Sequence, residues 1–284
     1  MPRLTIIMPA YRAAATIGSA MRSTLRAMPR DSELVVSVDG PDAATEEAAR
    51  HVADKRVTVR TSSVNVGTVA CMRRALESTD SEFVAKMDAD DLCAPWRFRS
   101  ELAAVGEADI VCGSGIRFGG GALPRPSYPA SLTSVEVGLL LPFTNPMFHP
   151  SLLARRQTLL EANAYATASV AEDYVLWCDA LLNGARVVKL AAPVIGYRLS
   201  ASQITGAPDY VQRVMTDPAV IRAYTEWARA SGRSWLVENG GSPFFPVATQ
   251  SQLDEIVAGM RARNRAYARR QITKNTTVVE SVPC

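Results

Sequence analysis

The sequence centres on the stretch Phe83-Val84-Ala85-Lys86-Met87-Asp88-Ala89-Asp90-Asp91, in which a short apolar run leads directly into three aspartates. The apolar part has the length and composition of a buried β-strand. Three carboxylates within four residues repel one another unless a cation neutralises them, and oxygen-rich sites of this kind suit Mg²⁺ or Mn²⁺. Aspartate is also common in turns, so a polar turn after a strand is the alternative interpretation. The stretch alone leaves both interpretations open.

Strand-like and helix-like segments alternate on the N-terminal side of this stretch. The predicted strands are 4–8, 34–38, 56–61 and 83–87, and the predicted helices between them are 17–28, 45–52 and 69–76. Such alternation predicts βαβ units, a parallel sheet and helices on both faces. Ligands of open α/β sheets bind beyond the carboxyl ends of the strands. Four strand ends carry polar residues, at 9–12, 39, 65–67 and 88–91, and this agreement favours a binding site.

The second half of the sequence is less regular. It predicts a strand at 109–112 followed by a glycine-rich turn, a loop at 124–129, an irregular stretch at 144–150, a helix at 172–182, short strands at 187–190 and 194–198, and helices at about 209–231 and 250–272. Gly113-Ser114-Gly115 follows a strand but is not a dinucleotide fingerprint, because no helix pattern comes after it.

The composition is that of a globular protein. With 284 residues, 48% of them hydrophobic and 21% charged, the chain can bury a large core as one domain or as a domain with an appendage. No apolar run reaches the roughly 18 residues that span a bilayer, and the N-terminus is expected to be a strand and not a signal peptide. Five scattered cysteines without zinc-site spacing indicate a reducing, cytoplasmic environment.

A net charge of +3 gives no general case for nucleic acid as a partner. One stretch near the C-terminus is nevertheless strongly basic, with Arg261, Arg263, Arg265, Arg269, Arg270 and Lys274. A solvated helix face is the ordinary interpretation of such a stretch. The sharper interpretation is attraction of residues 260–274 to an anionic membrane surface or acceptor.

A divalent cation at the strand end would suit a nucleotide-diphosphate substrate, because it neutralises charge on the leaving oxygens. Asp88 and Asp90 are two residues apart and are candidates to face the pocket together. Asp91 is a candidate further ligand or a residue that holds the loop. Asp39 follows its own strand and is either an acceptor for a base edge or ribose hydroxyl, or a plain turn residue.

Chemistry at such a site also needs a base to activate an incoming nucleophile. Glu172 and Asp173, at the start of the predicted helix 172–182, are the best candidates. The helix dipole also favours acids at this position, by roughly 0.3 to 1 kcal/mol, so a structural role is the alternative. His149 is a second candidate for base or donor, although a lone histidine before a proline is more often structural.

Five short motifs occur in a fixed order along the chain. They are Met8-Pro9-Ala10-Tyr11, Ser37-Val38-Asp39-Gly40, Asn65-Val66-Gly67, Lys86-Met87-Asp88-Ala89-Asp90-Asp91, and Glu172-Asp173 followed by Trp177. In order and spacing, as far as about residue 202, they resemble family 2 glycosyltransferases of the GT-A fold. The resemblance implies a Rossmann-like α/β fold with a mostly parallel sheet flanked by helices. It also implies a catalytic domain at 1–205, with a nucleotide-sugar half at 1–112 and an acceptor half at 113–205, and a helical C-terminal extension at 206–284.

The resemblance also implies roles for individual residues. The donor would contact Pro9, Ala10, Tyr11, Asp39, Asn65, Gly67, Asp88, Ala89 and Asp90, and Mn²⁺ or Mg²⁺ would be held by Asp90, Asp88 and Asp91. Asp173, beside Glu172, would be the base that removes the acceptor proton for in-line attack with inversion, and with an ordinary pKa of about 4 it is ionised at neutral pH. The acceptor side would include His149, Trp177 and Arg198.

The resemblance implies a nucleotide-diphosphate sugar, above all a UDP-sugar, as the donor, and a glycan, a lipid-linked molecule or a small molecule as the acceptor. It implies a cytoplasmic enzyme that is peripheral to the inner face of the membrane, and it leaves a homodimer open. A nucleotidyltransferase would need a glycine- and lysine-rich phosphate loop near the N-terminus, which the sequence lacks. A catalytically inactive nucleotide-sugar or glycan-binding protein would have no need of both acidic motifs.

The sequence departs from the family pattern at four positions. Val38 stands where a second aspartate is frequent, Arg12 and Arg73 stand where asparagines are usual, and Ser200 replaces a frequent histidine. Base recognition is therefore expected to rest on Asp39 alone. The loop that closes over the donor is expected at 195–208.

Overall fold

The first half of the chain folds as the alternation of apolar runs predicts. The computed structural model of the protein describes residues 1–127, 129–167, 169–200, 208–238 and 240–279. The elements of the first half are β1 (Leu4–Ala10), α1 (Ile17–Ala27), β2 (Ser32–Val38), α2 (Ala43–Arg50), β3 (Val57–Thr61), α3 (Thr68–Ser78) and β4 (Phe83–Lys86). The predicted strands and helices of this half are confirmed, and their ends move by only a few residues.

The middle of the chain adds shorter elements around the helix that was predicted at 172–182. These are β5 (Leu92–Cys93), α4 (Arg97–Ala104), β6 (Ile110–Gly119), β7 (Ala122–Pro126), α5 (Ser134–Leu140), a 3-10 helix (His149–Ser151), β8 (Leu153–Arg155), α6 (Arg156–Glu161), α7 (Glu172–Leu182) and β9 (Val187–Leu199). Helix α7 has the predicted bounds, whereas α4, α5 and α6 were not predicted.

The C-terminal part is mainly helical. It contains α8 (Tyr210–Thr216), α9 (Pro218–Ala230), α10 (Trp235–Glu238), β10 (Val247–Thr249), α11 (Gln250–Ala258), α12 (Ala262–Asn275) and β11 (Thr277–Val279). Each of the two helices predicted here is broken once. Asp217 ends the first and caps α9 by accepting from the backbone N–H groups of Ala219 and Val220, and α11 ends at Gly259.

Nine strands of the described chain form one sheet, in the order β3-β2-β1-β4-β8-β6-β9-β5, with β7 paired to β6. β1 is parallel to β2 and β4, β2 is parallel to β3, and β6 is parallel to β9. β8 joins the two groups because it is antiparallel to both β4 and β6. Six strands (β1, β2, β3, β4, β6 and β9) therefore run in one direction, which confirms the mostly parallel sheet.

Apolar residues cover both faces of the central strands. All seven residues of β1 are buried. Ile6 and Met8 belong to one apolar cluster, whereas Ile7 belongs to another. Because successive strand residues point to opposite faces, the two clusters are the two layers of core between the sheet and its helices.

The glycine-rich turn that the sequence predicts at 113–121 is shorter than expected, because β6 continues to Gly119. Gly113 and Gly115 lie inside β6, where a Cβ atom on Gly115 would stand 2.7 Å from the ring of Phe148. These glycines permit close packing inside the sheet. The turn is confined to residues 120–121, and part of the loop predicted at 124–129 is strand β7. The two strands predicted at 187–190 and 194–198 are one strand, β9.

The helical extension predicted at 206–284 shares its core with the preceding domain. Trp227 of α9, Ile256 of α11 and Ala268 of α12 belong to the same apolar cluster as Leu140 of α5 and Trp177 of α7. The predicted boundary at 205/206 lies outside the described residues. No helix in the described part of the chain is both long and apolar enough to cross a membrane.

Glu136 ties the C-terminal helices to α5. Its side chain is 1% exposed and completes the capping box of α5 with Thr133. Its oxygens accept from the backbone N–H of Arg261 at 2.9 Å, from Arg261 Nε at 2.8 Å and from Asn264 Nδ2 at 2.8 Å. Burial raises the pKa of Glu136, but hydrogen bonds from Arg261, Thr133 and Asn264 outweigh it and lower the pKa to about 2.

Glu136→Ala is expected to lower the free energy of unfolding by about 3 kcal/mol in chemical denaturation, because it leaves Arg261 and Asn264 without their buried acceptor. Because the pKa of Glu136 in the folded chain lies below the ordinary 4.5, this stabilisation is present above about pH 4.5 and is lost as the pH falls towards 2. The control is Glu82→Ala, since the Glu82 side chain is 52% exposed and pairs with Arg3 and Arg155 at the surface. The control should lose less than about 1 kcal/mol, and equal losses in the two variants would contradict this role of Glu136.

Candidate active site

The acidic cluster, defined as Asp88, Asp90 and Asp91, follows the end of β4 in the middle of the sheet. Asp88 and Asp90 are partly exposed, whereas Asp91 is 1% exposed. Lys86, the last residue of β4, is buried and makes an ion pair with Asp88. Asp91 Oδ1 accepts from the backbone N–H of Arg198 at 2.8 Å, while its Oδ2 is buried without a hydrogen-bond partner in the described part of the chain.

The cluster carries more negative charge than its neighbours neutralise. Burial raises the pKa of Asp90, and the charge of Asp88 raises it further. Burial and the charge of Asp88 likewise raise the pKa of Asp91. Lys86 opposes both effects without cancelling them. A further cation would therefore stabilise the ionised cluster.

A buried ion pair supports the backbone just before the cluster. The Arg97 and Glu101 side chains are both 0% exposed, and Arg97 Nε donates to Glu101 Oε2 at 3.1 Å. Arg97 Nη2 donates to the backbone carbonyl of Lys86 at 2.7 Å, and Arg97 Nη1 lies 3.2 Å from Met87 Sδ. Sequence reasoning missed this pair. Its four-residue spacing was the available signal, but that spacing usually marks an exposed helix face.

Asp39 holds the loop that contains Asn65 and Gly67. Asp39 is 3% exposed, and its two carboxylate oxygens accept from the backbone N–H groups of Val66 at 2.7 Å and Gly67 at 2.9 Å. Gly67 has a φ of +85°, which glycine adopts without strain. The predicted contact of Asp39 with a nucleotide base or ribose stays a prediction, and it would use the remaining lone pairs of the carboxylate.

The predicted donor-binding residues come from neighbouring strand ends. Pro9 and Ala10 are buried in β1, and the half-exposed Tyr11 follows them. The Arg12 guanidinium lies 5.0 Å from the centre of the Tyr11 ring. Because β1 lies between β2 and β4, the chain beyond these three strands meets at one edge. This edge carries Tyr11, Asp39 and the acidic cluster, whose Ala89 is buried.

Glu172 and Asp173 form a partly buried carboxylate pair at the start of α7. Asp173 Oδ2 accepts from Asn145 Nδ2 at 2.6 Å, and Asp173 Oδ1 accepts from the backbone N–H of Tyr174 at 2.8 Å. Burial raises the pKa of Asp173, and these two hydrogen bonds oppose the rise. Burial and the charge of Asp173 raise the pKa of Glu172.

The candidate acceptor residues lie in different surroundings. His149 is buried, lies 2.8 Å from Tyr165 Oη through Nε2 and 3.6 Å from Glu172 Oε1 through Nδ1, and burial lowers its pKa well below the ordinary value. Trp177 is fully buried, which is at odds with its predicted contact with an acceptor. Arg198 Nε donates to the backbone carbonyl of Asp90 at 2.7 Å, so Arg198 braces the acidic cluster. Acceptor contacts of His149 and Arg198 stay predictions.

The acidic cluster and the carboxylate pair act on each other. After burial and Asp173, the charge of Asp88 is a further cause of the raised pKa of Glu172. Lys86 lowers the pKa values of Asp90, Glu172 and Asp173 against the larger effect of burial. The two groups of carboxylates therefore belong to one electrostatic site.

The residues of this site fit a divalent cation that is shared with a substrate. No three His, Cys, Asp or Glu side chains of the described residues are arranged to hold a metal ion by themselves. Asp88 and Asp90 are accessible carboxylates, and the neighbouring Asp91 oxygen has no partner. Mg²⁺ in proteins is commonly bound by one or two carboxylates together with substrate phosphates, which is the arrangement that these residues allow.

Comparison with known families identifies the family to which the chain belongs. The family model described as Glycosyl transferase family 2 matches residues 5–164. The chain belongs to glycosyl transferase family 2. It is therefore a glycosyltransferase, as the five motifs led us to expect.

Curated relatives and solved structures agree with this membership. The O-antigen biosynthesis glycosyltransferase WbnJ of Escherichia coli is 24% identical over 180 residues, which cover 61% of this chain and 70% of WbnJ. The Escherichia coli UDP-Glc:alpha-D-GlcNAc-diphosphoundecaprenol beta-1,3-glucosyltransferase WfgD is 24% identical over 221 residues, which cover 71% of this chain and 79% of WfgD.

The crystal structure of S. aureus TarS 1–349 in complex with UDP-GlcNAc matches with a TM-score of 0.59 at 17% identity. The match covers 97% of this chain and 89% of that one. A longer TarS structure matches with a TM-score of 0.57, and this chain spans 54% of it. At this identity the likeness shows the fold alone, and it confirms the GT-A fold.

Arg97→Met is expected to lower the free energy of unfolding by about 3 to 5 kcal/mol, because it leaves the Glu101 carboxylate buried and unpaired. The double variant Arg97→Met/Glu101→Leu removes both charges and should recover part of that loss, since similarly sized apolar residues often replace a buried ion pair at little cost. Chemical denaturation of both variants and the wild type measures the difference. A double variant that is no more stable than Arg97→Met would contradict the pairing.

Proposed function

We propose that this glycosyltransferase is a metal-dependent, inverting enzyme that moves a sugar from a UDP-sugar to an acceptor hydroxyl. The observation that carries the proposal is the division of carboxylates at one edge of the sheet. Asp88 and Asp90 are partly exposed, and burial and the charge of Asp88 raise the pKa of Asp90, whereas the partly buried Asp173 is held by two N–H donors. The first environment suits a cation and a diphosphate, and the second suits a fixed base.

The donor is proposed to lie across the ends of β1, β2 and β4. Pro9, Ala10, Tyr11, Asp39 and the loop of Asn65 and Gly67 would line the nucleotide, and Asp88, Ala89 and Asp90 would face the diphosphate. Two similar proteins support a UDP-sugar donor, because WfgD is named for UDP-Glc and the TarS structure contains UDP-GlcNAc.

Asp88 and Asp90 are the residues that would hold Mn²⁺ or Mg²⁺. When bound, such an ion supplies positive charge that stabilises the leaving diphosphate. Asp91 has a different task in this proposal, because its Oδ1 already accepts from the Arg198 backbone. Asp91 joins the cluster to β9 and keeps the other two aspartates at the strand end.

Asp173 is proposed to accept the proton of the acceptor hydroxyl while that oxygen attacks the anomeric carbon. Attack from the side opposite the leaving diphosphate inverts the configuration of the sugar. The donors Asn145 and Tyr174 fix the carboxylate in place, so its geometry is set before the acceptor arrives. His149 is neutral at neutral pH because burial lowers its pKa, and it adds no positive charge to the pair.

The acceptor is proposed to be presented at an anionic membrane surface. The basic face of α12, defined as Arg263, Arg265, Arg269, Arg270 and Lys274, is exposed, and α12 contains no acidic residue. Its five positive charges exceed the net charge of the whole chain, which is +3. The name of WfgD includes a diphosphoundecaprenol acceptor, which supports a lipid-linked acceptor here.

Mn²⁺-dependent release of UDP from UDP-glucose or UDP-GlcNAc tests the reaction, and EDTA should abolish it. Asp90→Asn should raise the donor KM and lower turnover by about 100-fold, because a cation site loses a ligand. Asp173→Asn should lower turnover by at least 100-fold with an unchanged donor KM, because a general base typically contributes 10²- to 10⁴-fold. The control is Asp80→Asn, in an exposed residue before β4. Wild-type turnover in Asp173→Asn would contradict the assignment of the base.

Sedimentation with vesicles tests the basic face of α12. The wild type should bind vesicles of phosphatidylglycerol and phosphatidylcholine at low salt, bind pure phosphatidylcholine weakly, and lose binding as salt is raised. Arg265→Glu/Arg269→Glu/Arg270→Glu should abolish binding. The control reverses three exposed arginines at the other end of the sequence, Arg22→Glu/Arg26→Glu/Arg30→Glu, with the same change in net charge. Equal loss of binding in both triple variants would contradict a role specific to α12.

A further inference from the structure

Two adjacent, partly buried carboxylates cannot both be ionised without a cost in free energy. Glu172 and Asp173 are neighbours at the start of α7, and burial raises the pKa of each. Charge on one also disfavours charge on the other, so the pair titrates as a unit. Some feature of the site must therefore decide which of the two carries the negative charge at neutral pH.

The hydrogen bonds of Asn145 distinguish Asp173 from Glu172. Asn145 Oδ1 accepts from the backbone N–H of Met147 at 3.2 Å. That bond fixes the orientation of the amide, so that the NH₂ group is the one that faces Asp173. Nδ2 then donates to Asp173 Oδ2 at 2.6 Å.

The charge of Asp173 is thus met by two donors, Asn145 Nδ2 and the backbone N–H of Tyr174. Glu172 Oε1 lies 3.6 Å from His149 Nδ1, which is beyond hydrogen-bond distance, and the donor that favours charge on Glu172 is its own backbone N–H. Because burial lowers the pKa of His149, the His149 ring is neutral. Hydrogen bonds to a carboxylate favour its ionised form, so the donors favour charge on Asp173.

The other titratable groups around Asp173 do not favour charge on one of the two carboxylates over the other. Lys86 of β4 lowers the pKa values of both Glu172 and Asp173 against the effect of burial. Tyr165 and Tyr210 of α8 have pKa values raised first by burial and then by both carboxylates. Lys86 also pairs with Asp88 and is shared with the acidic cluster, whereas the amide of Asn145 serves Asp173.

The loop that carries Asn145 is anchored by the C-terminal extension. Asn275, the last residue of α12, donates through Nδ2 to the backbone carbonyl of Phe143 at 2.6 Å. Phe143 is fully buried and precedes Asn145 by two residues. On the other side, Tyr174 Oη donates to the backbone carbonyl of Leu141 at 3.1 Å. Helix α12 is therefore connected to the carboxylate pair by two hydrogen bonds and a short piece of chain.

We propose that Asn145 is a positioning residue that selects Asp173, and not Glu172, as the ionised carboxylate, and that Asn275 keeps the Asn145 loop in place. The inference rests on the proposed function, in which Asp173 is the base. It also gives the helical extension a task in the reaction, because the end of α12 supports a residue that touches the base.

The pH dependence of kcat/KM for UDP release, with Mn²⁺ and the better of UDP-glucose and UDP-GlcNAc, tests the role of Asn145. Asn145→Ala removes the donor, so the pKa of Asp173 rises and the acid limb of the profile moves to higher pH by about 1 to 2 units. The isosteric Asn145→Asp should move it further, because a carboxylate replaces the amide. Both variants should recover activity as the pH rises.

The matched control is Asn183→Ala, at the other end of α7, where Nδ2 donates to the backbone carbonyl of Glu161. It should leave the acid limb unchanged. A residue with a purely structural role would lower activity at every pH without moving the limb, so an unshifted limb in both Asn145 variants would overturn the inference. Thermal unfolding of each variant shows that the compared proteins are folded.

Asn275→Ala tests the anchor. It should move the acid limb in the same direction as Asn145→Ala but by less, and it should leave the donor KM unchanged, whereas an unmoved limb would overturn the role of α12. Failure of the proposed function has a different signature, namely Asp173→Asn with wild-type turnover. If Asp173→Asn is inactive while the Asn145 variants keep the wild-type acid limb, the base stands and the inference about Asn145 is wrong.

Discussion

Negative charge concentrated at one edge of the sheet is the constraint on which the site depends. Five carboxylates gather there around Lys86, and they are Asp88, Asp90, Asp91, Glu172 and Asp173. Each would raise the free energy of the others if all were ionised without partners. The structure relieves this repulsion in different ways, with a backbone N–H for Asp91 and two donors for Asp173. Asp88 and Asp90 are left accessible, and there a divalent cation and a diphosphate would complete the neutralisation.

Much of the remaining chain fixes these carboxylates from a distance. Arg97 donates to the backbone carbonyl of Lys86 at the end of β4, and Asn145 donates to Asp173. Glu136 and Asn275 fasten α12 to α5 and to that loop. The C-terminal helices are thus part of the same packed body as the site. The basic face of α12 is exposed, while Asn275 at the end of the same helix supports the loop beside Asp173.

The sequence predicted those parts of the fold that local patterns specify. The bounds of α7 and the positions of β1 to β4 along the chain follow from apolar periodicity, which depends on neighbouring residues alone. The prediction of a turn at Gly113 and Gly115 was wrong because glycine marks both turns and close packing, and only their distant neighbours, Val194 for Gly113 and Phe148 for Gly115, distinguish the two cases. The two C-terminal helices were predicted too long because the apolar stripes continue across both breaks. The start signal Asp217-Pro218, an N-cap followed by proline, was present in the sequence and was missed, and α11 ends at Gly259.

In the candidate site, too, the residues in local motifs were predicted and the residues that act through distant contacts were not. The motifs indicated Asp88, Asp90 and Asp173, whose environments suit the proposed roles, although those roles stay proposals. Asn145 was seen only as part of an irregular stretch, because its partner lies 28 residues away. The bond between Arg261 and Glu136 spans 125 residues, and no local pattern encodes such a contact. Trp177 belongs to the apolar stripe of α7 and is completely buried. Its position in that stripe therefore predicted its environment better than the acceptor contact that the family resemblance implied.

The central claim is that Asp173 activates a nucleophile for attack from the side opposite the diphosphate. ¹H NMR of the sugar first released from UDP-α-glucose, recorded before the anomers equilibrate, tests it most directly, because water then takes the place of the acceptor. The account predicts β-glucose as the first product. Release of α-glucose as the first product would contradict inversion, and with it the role of Asp173.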